Sequence, residues 1–326
     1  MKNILSHLRF IHRTDLVAAV IVAVATCNVF AEKVGVEKGQ AQQLGPAGTT
    51  EENGPGVEEQ TRASSPDEAS AGGRRVELDE VLEFARTAYA EIDDNVDDYT
   101  CVLYKRERVD GKVHGWQSME VKIRHAQQQD GELRVPFSVY VRFLAPSRVA
   151  GRAVLYVQNR NNGDLIARRG GQRSPNVTFQ LMPSSPLAML ENRYPITEIG
   201  FKNLAKRLIE VLEQESQHGG GDMRVWENAR LGDRVCTHYR LIHRERRSGL
   251  TYHMAEVSVD NELGIPIRYG AYDFPREEGG EPQVLEQYVY TDVHINVGLT
   301  DPDFDPENPA YEFQLHDDFE DQLTKD

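Results

Sequence analysis

Cysteine is nearly absent, with three in 326 residues. One of them, Cys27, sits in an N-terminal segment, so neither a disulfide-dense scaffold nor a four-cysteine zinc site can be built. Positive charge is also short: 37 Lys and Arg face 52 Asp and Glu, for a formal charge of −15. A chain of that sign is not drawn to nucleic acid or anionic lipid by bulk electrostatics. The densest basic stretch, "RERRSG" from Arg244, reads as a solvated hairpin end. The apolar run Leu16–Ala25 is too short for a comfortable membrane span. It follows Lys2, Arg9 and Arg13 and precedes Val29 and Ala31 in a small-residue cleavage pattern. Residues 1–31 therefore read as a secretory signal peptide, which places the protein in the periplasm or cell envelope. An uncleaved N-terminal anchor stays open, as does lipidation at Cys27 after Val24-Ala25-Thr26. Removing residues 1–31 deepens the charge from −15 to about −17. Export permits a disulfide between Cys101 and Cys236; two separate buried thiols are the alternative.

Residues 32–75 lack aromatics and Ile and are rich in Gly, Glu, Gln, Ala, Ser and Pro. Such a segment cannot bury enough apolar surface to offset its ordering entropy, so it reads as a disordered tether. Catalytic motifs are missing too. There is no Gly-x-Ser-x-Gly elbow and no phosphate-cradling loop between strand and helix. Cys236 and His238 share a strand face, but no second close pair completes a zinc site. Asp301, Asp303 and Asp305 alternate like a calcium loop, yet the following Gly and the Glu at the twelfth position are absent. Asp93-Asp94 and Asp97-Asp98 fall in a helix-ending loop, where solvated charge explains them. No catalytic residue, metal or cofactor is assigned, and a hydrolase is only the remote alternative.

What is present is pattern. Leu78, Val81, Leu82, Ala85, Ala88, Tyr89 and Ile92 recur at helical spacing. Strands follow: Thr100–Val109 ending on Asp110-Gly111, Ser118–Ala126, the alternating "RVPFSVYVRFLAP", and Ala153–Asn159. A helical interlude spans Pro183–Ser216, broken at Asn192-Arg193-Tyr194-Pro195, with Phe201, Leu204, Leu208, Val211 and Leu212 on one side. Five more strand signals run from Met223 to Val297, and an acidic tail carries a docking piece at Asn308–Phe313. Strands joined by short turns, with few helices for cover, predict an α+β fold. Its expected form is a strongly curved antiparallel sheet, an incomplete barrel, covered by the N-terminal helix and a mid-chain helical lid. The expected organisation is a single domain over 76–313 and an acidic tail over 314–326.

The stretches "YTCVLYKRERVDG", "VYVRFLAPSRVAGRAVLYVQNRNNGDL", "MLENRYPITEIGFKNL", "DNELGIPIRYGAYDFP" and "YVYTDVHINVGLTDPDFDPENPAYEF" occur in that order. Together they resemble a bacterial domain-of-unknown-function family, number 1571, over roughly Leu78–Phe313. More distantly the arrangement resembles the periplasmic lipoprotein carriers of the LolA type. That resemblance implies helices acting as a lid over an apolar cavity, and a lipid or lipoprotein acyl chain as partner. The candidate lining is Phe137, Val139, Val141, Phe143 and Leu155 on the sheet, faced by Leu204 and Leu208 from the lid. The alternative is a dry-cored interaction or sensor module for an envelope protein, with Tyr288, Tyr290 and Trp226 as exposed anchors.

Overall fold

The computed structural model describes residues 73–171, 177–246 and 252–314. The expected signal segment, most of the tether and residues 315–326 lie outside these. The first half carries β1 (Arg74–Arg75), helix α1 (Leu78–Asn95), β2 (Asp98–Val109), β3 (Lys112–Val113), β4 (Gln117–Arg124), β5 (Gln127–Gln129) and β6 (Glu132–Val135). It continues through β7 (Ser138–Ala145), β8 (Ala153–Val157), β9 (Leu165–Arg168) and β10 (Thr178–Leu181). Helices α2 (Pro186–Met189) and α3 (Phe201–Gln217) then lead to β11 (Asp222–Leu231) and β12 (Arg234–Ile242). The last strands are β13 (Met254–Asp260), β14 (Pro266–Asp273) and β15 (Gln283–Ile295).

One antiparallel sheet runs in the order β1-β11-β12-β13-β14-β15-β2-β4-β7-β8-β9-β10, with β3 on the end of β2. Strands β5 and β6 make a separate ribbon. The sheet curves without closing, so the fold is the α+β incomplete barrel expected. Three short features depart from expectation. Arg74 and Arg75, placed in the tether, pair with Val225 and Arg224, because backbone pairing needs no apolar side chain. The β9–β10 pair and the β5–β6 ribbon were not anticipated, because strands of three or four residues are too short to display alternation.

The inner face is built by register. Tyr99 pairs with Ile123, Cys101 with Val121 and Leu103 with Met119; Val139, Val141 and Phe143 extend these three rows across β7. Helices α1 and α3 pack on this face. Val81 and Leu82 of α1 and Leu212 of α3 meet Met223, Val225 and Leu241 over β11 and β12. An Arg86–Glu213 ion pair of 2.8 Å ties the two helices together. The start of α3 is pinned by Tyr99, whose hydroxyl accepts from Phe201 N at 3.0 Å and whose ring stacks on Phe201. Gly200 makes that approach possible: its φ is +107°, and a Cβ there would lie 2.6 Å from the Tyr99 hydroxyl.

Over β7 to β9 the outer face is covered as well. Phe304 and Tyr311 from the C-terminal segment bury Tyr140, Leu155 and Ile166. The Tyr311 ring stacks 3.7 Å from Tyr140. Asp301 pairs with Arg124 at 2.8 Å, Asp303 with Lys122 at 2.9 Å and Glu312 with Arg168 at 2.7 Å. Two of the three acids that alternate like a calcium loop, Asp301 and Asp303, thus help clasp the segment to the sheet. Cys101 and Cys236 are buried free thiols, corrected from the possible disulfide, because three strands of the sheet stand between β2 and β12.

Candidate functional site

Helices α1 and α3 fill the inner face over β11 to β13, but they do not reach across β7 to β10. There the segment from Pro183 to Gly200 bridges to the sheet and encloses a cavity of about 910 Å³. That volume falls within the range of small-molecule sites, roughly 300–1,000 Å³. Strand parity makes its wall apolar: Leu103, Met119, Val141, Phe143 and Val154 come from the sheet, and Ile196, Ile199 and Leu204 face them. Among the described residues, no His, Ser, Thr or Cys lines the cavity.

One end is charged. Along β2 the inner row Tyr99, Cys101, Leu103 continues as Lys105 and Glu107, and Glu107 stands directly opposite Glu286 of β15. Both carboxylates are buried, at 4% and 3% exposure. Two buried like charges side by side need donors or opposite charge, and the bridging segment supplies both. Arg193 donates its backbone N–H to Glu107 at 3.1 Å and places its guanidinium 3.2 Å from Glu286. The Tyr194 hydroxyl donates to Glu286 at 3.1 Å, and the Tyr288 hydroxyl donates to Glu107. Lys105 lies 3.2 Å from Glu107 and also donates to the Asn192 side chain. Burial pushes the Glu286 carboxyl above the usual range, opposed by Arg193 and the Tyr194 hydrogen bond. Burial and the Glu286 charge push the Tyr194 hydroxyl up to about 12, so it stays a donor at neutral pH. Next to this wall Glu191 pairs with Arg148 at 2.7 Å and Arg152 at 3.5 Å. Burial would raise the Glu191 carboxyl, but the two guanidinium groups hold it below its ordinary value. Residues 191–194 are thereby latched to the sheet.

The model for the family "Protein of unknown function (DUF1571)" matches residues 96–313. The chain belongs to this family. Every cavity-lining residue of this DUF1571 protein falls inside the matched segment, whereas α1 precedes it. No curated protein matches the chain. Among solved structures it is similar to a putative outer membrane lipoprotein-sorting protein domain from Vibrio parahaemolyticus, at 13% identity over 72% of this chain and 100% of that one, TM-score 0.33. It is also similar to a LolA superfamily protein from Nitrosomonas europaea, at 15% identity over 71% and 98%, TM-score 0.27. A third is MucB in complex with MucA from Pseudomonas aeruginosa, at 14% identity over 73% and 63%, TM-score 0.40.

In this DUF1571 member Val141, Phe143 and Leu204 line the cavity. Val139 is sealed in the packed core beside Ile123, and Phe137 sits just before β7 against Tyr156. Leu208 lines a separate recess of about 80 Å³ shared with α1. Leu155 faces the other way: Val154 pairs with Val141 and Leu155 with Tyr140, so parity sends Leu155 to the outer face. The aromatic anchors are not exposed. Tyr290 is core, Tyr288 stands in the cavity wall, and Trp226 is half-buried beneath Arg240. The charged end, with Lys105, Glu107, Arg193 and Glu286, has one local signal in the sequence, the change from Leu103 to Lys105 on one strand face. Among the described residues, no helix is long and apolar enough to cross a membrane.

Proposed function

We propose that this chain is an exported, non-enzymatic binding protein that holds a lipid or acyl chain between its curved sheet and the bridging helical segment. The observation that carries the reading is the cavity of about 910 Å³, walled by Leu103, Met119, Val141, Phe143, Val154 and Leu204. An empty cavity of this size would leave those side chains without contacts on the side that faces it. Transfer of an alkyl chain from water into such a wall contributes about 0.8 kcal/mol per buried methylene. The wall presents no Ser, Cys, Thr or His among the described residues, and its two buried carboxylates are engaged by Lys105, Arg193, Tyr194 and Tyr288, which supports binding over catalysis. The organisation proposed is a signal peptide over 1–31, a tether over 32–75, a binding domain over 76–313 and an acidic tail beyond, in the periplasm or cell envelope.

An envelope protein as partner is the second reading. It is favoured by apolar side chains at the rim: Met182, Leu187 and Leu190 are 60%, 57% and 64% exposed. One experiment separates the two. The protein is purified without detergent, extracted with organic solvent and examined by mass spectrometry. A stoichiometric lipid that disappears in a Val154→Trp variant supports the carrier. An empty extract from folded wild-type protein overturns it and favours the rim as a protein-docking surface.

A further inference from the structure

The charges around the cavity are not evenly committed. Lys105 is engaged by Glu107, Arg193 by Glu286, and Arg152 by Glu191. Arg169, Lys206 and Arg207 also line the cavity without an ion pair among the described residues, but Arg169 and Lys206 are exposed and Arg207 of α3 is not. It lines the cavity and is half-buried, with its guanidinium 4.3 Å above the Tyr194 ring. Among the described residues it has no carboxylate in ion-pair contact. Glu286 feels its charge, but the Glu286 oxygens are already engaged by the Tyr194 hydroxyl and the Arg193 guanidinium. The cation–π contact with Tyr194 restrains the guanidinium, so less side-chain freedom remains to be lost on binding. A partly desolvated guanidinium beside an apolar wall, with the buried Lys105, Glu107 and Glu286 already engaged, suits a planar or tetrahedral oxyanion.

We propose that the ligand is a single-chain amphiphile with an anionic head, its carboxylate or phosphate paired with Arg207 and its alkyl chain along the Leu103–Val141–Leu204 wall. This rests on the binding reading above and adds the chemistry of the head. The test is competition against a fluorescent alkyl probe bound to the full chain, using dodecanoate, dodecyl phosphate and dodecanol. The anionic competitors should bind at least tenfold more tightly than dodecanol, because a charge-assisted hydrogen bond is added to the same apolar transfer. Whichever of the two is tighter identifies the head. Arg207→Gln should bring acid and alcohol within about twofold without weakening the alcohol, and Arg207→Lys should retain part of the preference. Equal competition by acid and alcohol in the wild type overturns the assignment and leaves the binding reading standing. A preference that survives in folded Arg207→Gln overturns it as well. Failure of all three competitors overturns both. The wild-type comparison decides even if Arg207→Gln does not fold.

Discussion

His238 illustrates how a single side chain on the outer face senses pH. It is buried between Ser258, with Nδ1 3.0 Å from the hydroxyl, and Glu256, with Nε2 3.8 Å from the carboxylate. Arg240 and Arg268 crowd the same carboxylate. Burial, countered by Glu256 and reinforced by the two arginines, lowers its pKa to about 4. Unfolded histidine titrates near 6.5. Between these values the unfolded chain takes up a proton that the native chain refuses, so stability is complete above about 6.5 and falls as pH drops toward 4. That loss is about 3 kcal/mol for this group. Urea unfolding at pH 7, 5.5 and 4 should show a shallower loss in His238→Gln than in the wild type. A sequence reader can place Cys236 and His238 on one strand face. The convergence of Ser258, Glu256, Arg240 and Arg268 depends on register between strands and is not readable locally.

At the scale of elements, the segment between α2 and α3 is short of apolar burial and is held by polar bonds. Leu187 and Leu190 point to solvent, while Asn192, Arg193 and Tyr194 are tied to Lys105, Glu107 and Glu286. Arg193→Ala should cost about 3 kcal/mol, because it strips a buried carboxylate of its counter-charge. Adding Glu286→Gln should recover part of that cost, and the double-mutant cycle read by urea unfolding measures the coupling. Equal additive losses would place the segment's anchorage elsewhere. The helices themselves were legible, since Phe201, Leu204 and Leu212 recur at helical spacing and are buried. The latch was not, because nothing local marks Arg193 as the partner of a strand ninety residues away. The apolar lining was legible only in part. Val141, Phe143 and Leu204 reach the cavity, but Leu155 lies on the opposite face, since its parity depends on how β8 aligns with β7.

For the whole molecule, both faces of the sheet are covered over β7 to β9: the bridging segment lies on one side and the C-terminal clasp on the other. The clasp's ion pairs are partly solvated and contribute little each, so its hold rests on Phe304 and Tyr311. Tyr311→Ala should lower stability by about 3 kcal/mol, as for other buried aromatics, measured as a drop in the urea midpoint. Asp305→Asn, on an exposed side chain, should leave it within about 0.5 kcal/mol. The docking piece at Asn308–Phe313 was readable as an aromatic island in an acidic tail, whereas its stacking partner Tyr140 was not.

The middle of the sheet is the β15–β2 ladder, which joins Thr291 to Val102 across 189 positions of chain. Two halves of the sheet therefore meet along a seam that no partial chain can form. Contact order this high slows folding, since loop closure must be achieved before the pairing rewards it. Until β15 has been synthesised, β2 keeps an unpaired apolar edge, and the half-made sheet is open to aggregation. A chain that cannot complete the centre of its sheet until its last strand arrives must hold its native centre open for as long as it is being made.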